Sequence, residues 1–85
     1  MTHKIKVGIT DIQTGIELPY MIVLVECNGI ARAKRYAISK VRKHLLEHRL
    51  KRLAELVNGE FEQVRQAYNF GEFSLPEEYE ISIME

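Results

Sequence analysis

The 85-residue sequence has no tryptophan, a single cysteine and only two prolines. The lone thiol, Cys27, excludes an internal disulfide and any multi-cysteine zinc site, and it suits a reducing compartment. The longest apolar run, Tyr20 to Val25, falls far short of the roughly 20 residues that cross a bilayer, and the N-terminus lacks a signal-peptide apolar core. A cytoplasmic protein without membrane contact is therefore expected. Gly8, Gly15, Gly29, Gly59 and Gly71 are scattered, so there is no glycine-rich phosphate loop and no support for a nucleotide cofactor. A chain this short buries only about 60% of its extended surface, which predicts one core and one domain over residues 1–85.

What is present is charge, strongly segregated. Lysines and arginines balance aspartates and glutamates at 12 each, so the formal net charge is zero. Between positions 30 and 52, however, Arg32, Lys34, Arg35, Lys40, Arg42, Lys43, Arg49, Lys51 and Arg52 face only Glu47. From position 53 onward Arg65 stands against Glu55, Glu60, Glu62, Glu72, Glu77, Glu78, Glu80 and Glu85. A basic block attracts phosphates, but a solvated helix face neutralised by the acidic third is the simpler reading.

Hydrophobic periodicity predicts an α+β domain, a three-stranded sheet with helices packed on it in the order β-β-α-α-β. Ile5, Val7 and Ile9 alternate with Lys4, Lys6 and Gly8, the period of a half-buried strand. Asp11 to Gly15 supplies turn chemistry. Tyr20 to Cys27 is apolar on both faces, which points to a central strand, with Pro19 marking its start. Tyr79, Ile81 and Ile83 alternate with Glu78, Glu80 and Ser82 as a third strand. If strands two and three are parallel neighbours, their helical crossover should be right-handed.

Between them, Ile30, Ala33, Ala37, Val41 and Leu45 form one helical stripe whose alanines permit close approach to a sheet. Leu46, Leu50, Leu53 and Val57 form a second, rotated by roughly 170° at about 100° per residue. Either the chain bends near Leu46 to Arg49, or one helix runs on and its second half packs against something else. A rival reading uses Asn28-Gly29 as a hairpin turn, Ile30 to Ile38 as a strand and Ser39 as a helix cap. Alanine, arginine and lysine are better helix than strand formers, which favours the helix. Asn58 and Gly59 end this helix, and the stripe resumes at Phe61, Val64 and Tyr68. Five of the seven aromatics, Phe61, Tyr68, Phe70, Phe73 and Tyr79, fall in positions 61–79.

His44-Leu45-Leu46-Glu47-His48 fits H-x-x-E-H, the inverted zinc-protease motif, in which two imidazoles one turn apart hold zinc beside a glutamate base. Such enzymes need a third ligand, a cleft and a longer chain, and the surrounding cations oppose a divalent metal. The expectation is thus no metal and no catalysis, with His44 and His48 half-buried along the line of Val41 and Leu45, and mutual repulsion in acid loosening this region. Cys27 reads as a small apolar filler, and Ser39 has no nucleophile-elbow context.

The features that remain favour binding. The second stripe, the strand apolar on both faces and the acidic aromatic segment each offer surface needing cover. The run from Val25 to Val41 is similar to strand-to-helix joints in short phage and bacterial accessory proteins, which implies an accessory role and names no family. The expectation is a non-enzymatic protein-interaction module, dimeric, with Leu46, Leu50, Leu53, Val57, Phe70 and Phe73 as partner-binding residues. A dimer that pairs one copy's basic helix with the other's acidic third would also balance charge. The alternative is nucleic-acid binding through Arg32, Arg35, Arg42 and Lys43 on the helix side opposite the alanines.

Overall fold

A computed structural model describes residues 1–84. It has β1 (Thr2–Asp11), β2 (Glu17–Glu26), α1 (Ile30–Leu56), α2 (Phe61–Asn69) and β3 (Tyr79–Met84), an α+β fold in the order the periodicity predicts. The sheet is antiparallel throughout, with strand order β2-β1-β3. The central strand is therefore β1, and the expectation that the second strand is central is overturned. Its two apolar faces do not reflect two covered faces: Val23 and Val25 are buried, while Tyr20, Ile22 and Leu24 are exposed. β2 and β3 run parallel to each other but are separated by β1, so the neighbouring-strand crossover does not arise.

The hairpin between β1 and β2 is organised by Asp11. Its carboxylate accepts the amides of Gln13 and Thr14 at 2.9 and 3.2 Å, and its carbonyl accepts that of Gly15 at 2.8 Å. Gly15 has φ +73°, a backbone conformation that side chains disfavour. β2 begins before Pro19, not after it. The ladder pairs Val7 with Met21 but Ile9 with Leu18, so two β2 residues, Pro19 and Tyr20, oppose Gly8. A proline without an amide donor is accommodated at such a bulge on an edge strand.

The chain divides into two compact units, residues 1–42 with 77–85, and residues 43–76. α1 belongs to both. It is one continuous helix of 27 residues, which excludes both the strand at 30–38 and a break near Leu46. In the first unit Ile5, Val7, Ile9, Val23 and Val25 from the sheet are buried, as are Ala33, Ala37 and Val41 from α1. Alanines fully shielded from water at two successive turns leave no space for a larger residue. Ile30, placed on the same stripe, is exposed, and Leu45 is half-buried. The carbonyl of Gly29 accepts the Ala33 amide at 3.2 Å, so Gly29 occupies the N-cap position.

In the second unit the buried positions of α1 are Leu50 and Ala54. At about 100° per residue these lie roughly 120° around the helix from the alanine row, so the two halves of α1 turn different faces inward. α1 ends in a Schellman motif: Asn58 has φ +53°, its amide reaches the Glu55 carbonyl, and Gly59 reaches Ala54 at 2.9 Å. α2 ends the same way, with Gly71 at φ +76°, Gly71 bonded to Tyr68 at 3.1 Å and Glu72 to Ala67 at 3.0 Å. Phe73 packs edge-on to Tyr68 with ring centroids 5.7 Å apart, and the amine of Lys51 and the guanidinium of Arg65 lie 5.8 and 5.9 Å from the Phe61 ring. No helix among the described residues is long and apolar enough to cross a membrane.

Candidate functional site: the uncovered face and edge of the sheet

Alternation along β1 sends Ile5, Val7 and Ile9 to the buried face and Lys4, Lys6, Gly8 and Thr10 to the other. Cross-strand partners share a face. Leu24 and Ile22 therefore stand beside Lys4 and Lys6 on the β2 side, Met84 and Ser82 beside Lys6 and Gly8 on the β3 side, and Glu17 and Glu80 flank Thr10. The apolar members of this face remain in solvent, Leu24 at 65%, Tyr20 at 48%, Ile22 at 44% and Met84 at 42% exposure. Single exposed apolar residues are ordinary, but a contiguous group on one sheet face is not.

Gly8 lies near the middle of this surface. A Cβ there would come within 3.0 Å of the Met84 Cγ and 3.4 Å of the Ser82 hydroxyl, so the missing side chain lets Met84 lie across the central strand. A shallow hollow of about 190 Å³ opens here, between Tyr20, Leu18 and Pro19 on one side and Ser82 and Met84 on the other. The Lys6 amine sits 4.9 Å from the centre of the Tyr20 ring, a cation–π arrangement that keeps its charge on the apolar patch. Charge varies along the strands: Glu26 stands beside Thr2 at one end of the face, Lys4 and Lys6 follow, and Glu17 and Glu80 flank Thr10 at the other end.

The residues expected to bind a partner are not brought together as one surface. Leu50 is buried at 1% exposure and offers nothing to a partner; Leu46 and Leu53 are half-buried, and the row emerges into solvent only at Val57. Phe70 is exposed at 80%, whereas Phe73 is half-buried against Tyr68. Part of the acidic third is paired locally, with Glu62 and Arg65 at 2.6 Å. Arg32, Arg35, Arg42 and Lys43 are all exposed, and no ion pair engages them among the described residues.

His44 and His48 are exposed rather than half-buried, because the buried face of α1 has turned away from their line by this point. No group of three histidine, cysteine, aspartate or glutamate side chains converges among the described residues, so the H-x-x-E-H string is not joined by a third donor. Cys27 is half-buried just beyond β2, its thiol 3.5 Å from the Gly29 carbonyl, and the His3 imidazole lies 3.2 Å from the Cys27 carbonyl. Sequence reasoning missed Met84 as a surface residue and Ala54 as a buried one. The register of β3 against β1 would have placed Met84; an alanine carries too little hydrophobic signal to mark Ala54.

Neither a protein-family model, nor a curated protein, nor a solved structure matches this chain. The surfaces themselves carry the functional argument.

Proposed function

We propose that this chain is a non-catalytic protein-interaction module of the cytoplasm that associates with a second copy of itself through the uncovered face of its sheet. The observation that carries the reading is the coincidence of exposed Tyr20, Ile22, Leu24 and Met84 with charges that vary along the same strands. A two-fold axis running across the strands, between the Lys6 and Gly8 rows, turns one copy end for end over the other. Lys4 of each copy then meets Thr10 and the flanking Glu17 and Glu80 of the other, and Ile22 meets Tyr20. The central rows thus pair apolar groups and the outer rows pair Lys4 with carboxylates, with Leu24 opposite Glu17, a partial self-complementarity that an isologous interface can use. Two sheet faces pack about 10 Å apart with interdigitating side chains, and each fully buried Leu or Ile contributes about 1.5–3 kcal/mol. A lone thiol without a disulfide partner fits a reducing cytoplasm.

Sedimentation equilibrium tests this reading. The expected result is a concentration-dependent rise from the 9.9 kDa chain mass toward twice that value, lost on Ile22→Asp. A chain that stays at its single mass throughout contradicts it.

One observation favours a second reading, nucleic-acid binding: Arg32, Arg35, Arg42 and Lys43 are exposed without an ion pair among the described residues. It requires affinity for DNA or RNA that falls with salt by about 0.9 log units per neutralised phosphate on duplex DNA, and a loss in Arg35→Ala/Arg42→Ala on every sequence. No binding at low salt removes it.

A further inference from the structure

The open edge of β2 is a second surface, distinct from the sheet face. The Cys27 amide donates to the Met1 carbonyl at 3.1 Å, which continues the register that pairs Thr2 with Glu26 and makes Met1 and Cys27 a hydrogen-bonded pair. Such pairs alternate in an antiparallel ladder. Val25, Val23 and Met21 therefore turn their amides and carbonyls toward β1, while Ile22, Leu24 and Glu26 turn theirs outward, where no strand lies among the described residues. Natural edges are blunted by charge, proline or shortness. β3, the other edge, has six residues including Glu80, but β2 has neither charge nor proline from Tyr20 to Val25.

Beside this edge a groove of about 290 Å³ is lined by Leu24, Val25 and Glu26 from β2, by Cys27 just beyond it and by Arg32, Tyr36 and Lys40 from α1. The three helix residues are spaced by four, so they form one row along one side of α1. Tyr36 is exposed, with the Lys40 amine 5.8 Å from its ring centre. Glu26 is the one acid in the lining, and no ion pair engages Arg32 or Lys40 among the described residues. From Ile30 to Leu46 the helix has no acidic residue at all. The groove is cationic above and apolar below, and it runs beside a strand with unused hydrogen bonds.

We infer that this edge and groove bind an acidic peptide segment in extended conformation, added to the sheet as a strand beside β2. Its main chain bonds to the outward amides and carbonyls of Ile22, Leu24 and Glu26. The alternate side chains that turn toward α1 enter the groove and bring their carboxylates to Arg32 and Lys40 beside Tyr36. Edge addition and face-to-face packing use perpendicular surfaces, so this inference does not rest on the self-association proposed above.

The test is fluorescence anisotropy with a labelled alternating Val–Glu peptide of about six residues, the length of an ordinary strand. The full-length protein is expected to bind it, and to bind the matching Val–Lys peptide not at all. Methylating the peptide's alternate amides should abolish binding, and Arg32→Ala/Lys40→Ala should weaken it by about tenfold or more, the loss typical of charge-assisted bonds, with circular dichroism unchanged. Met84→Asp separates the two proposals: it should dissociate the dimer and leave peptide affinity within a factor of about two, because β3 lies across β1 from the open edge of β2. Equal binding of the Val–Lys peptide, or full affinity after amide methylation, overturns the inference. So does preference for a single-stranded oligonucleotide over the peptide, which would assign the cations to phosphate. Failure of the Val–Glu peptide to bind overturns it equally.

Discussion

The two faces of one sheet carry similar side chains and meet opposite fates. On one face Ile5, Val7, Ile9, Val23 and Val25 are buried in the same compact unit as Ala33, Ala37 and Val41 of α1. On the other, Tyr20, Ile22, Leu24 and Met84 are comparably apolar and stay in solvent. The difference lies in what accompanies them. The buried face is apolar between half-buried His3 and Asp11 at its ends, whereas the exposed face mixes its apolar groups with Lys4, Lys6, Glu17, Glu26 and Glu80. Charges spaced in this way are tolerable in water and useful for orienting a partner.

The same substitution on the two faces should have opposite consequences. Val7→Asp places an unpaired charge among fully shielded groups, at a cost on the order of 5 kcal/mol, which matches the whole stability of a small domain. Loss of the far-ultraviolet circular dichroism of the folded chain is the expected outcome. Ile22→Asp should leave that spectrum unchanged while weakening self-association on the order of a hundredfold, read by sedimentation. Lys4→Glu should weaken it less, about tenfold, and adding Glu17→Lys and Glu80→Lys should restore the original mass distribution; no restoration would show that these charges do not orient the pair. Gly71→Ala serves as a control in the other compact unit. A side chain at φ +76° in the α2 terminus should lower stability by about 1 kcal/mol in urea titrations, with the oligomeric mass unaffected.

Most of the element order was legible because it rests on period. Ile5, Val7 and Ile9 alternate cleanly since β1 has one covered face, and the helix from Ile30 follows from good helix formers in an unbroken row. Asn58-Gly59 marks the end of α1 through a backbone conformation that few residues adopt. The position of β2 was not legible. Sequence records that both its faces are apolar, and a strand buried on two faces reads the same as one with a face left in solvent. Rotation between the alanine and leucine rows of α1 was also readable, but not its outcome: Leu50 is buried, Phe73 lies against Tyr68, and the expected contact surface shrinks to Val57 and Phe70. The groove beside β2 was invisible, since Leu24, Arg32 and Tyr36 meet only through the tertiary path of the chain.

Sedimentation equilibrium of the unmodified chain beside Ile22→Asp, over a concentration series, tests the central claim most directly. The account predicts that the unmodified chain climbs toward twice 9.9 kDa while the variant, equally folded, stays at the single-chain mass. Identical masses for the two at every concentration would contradict it.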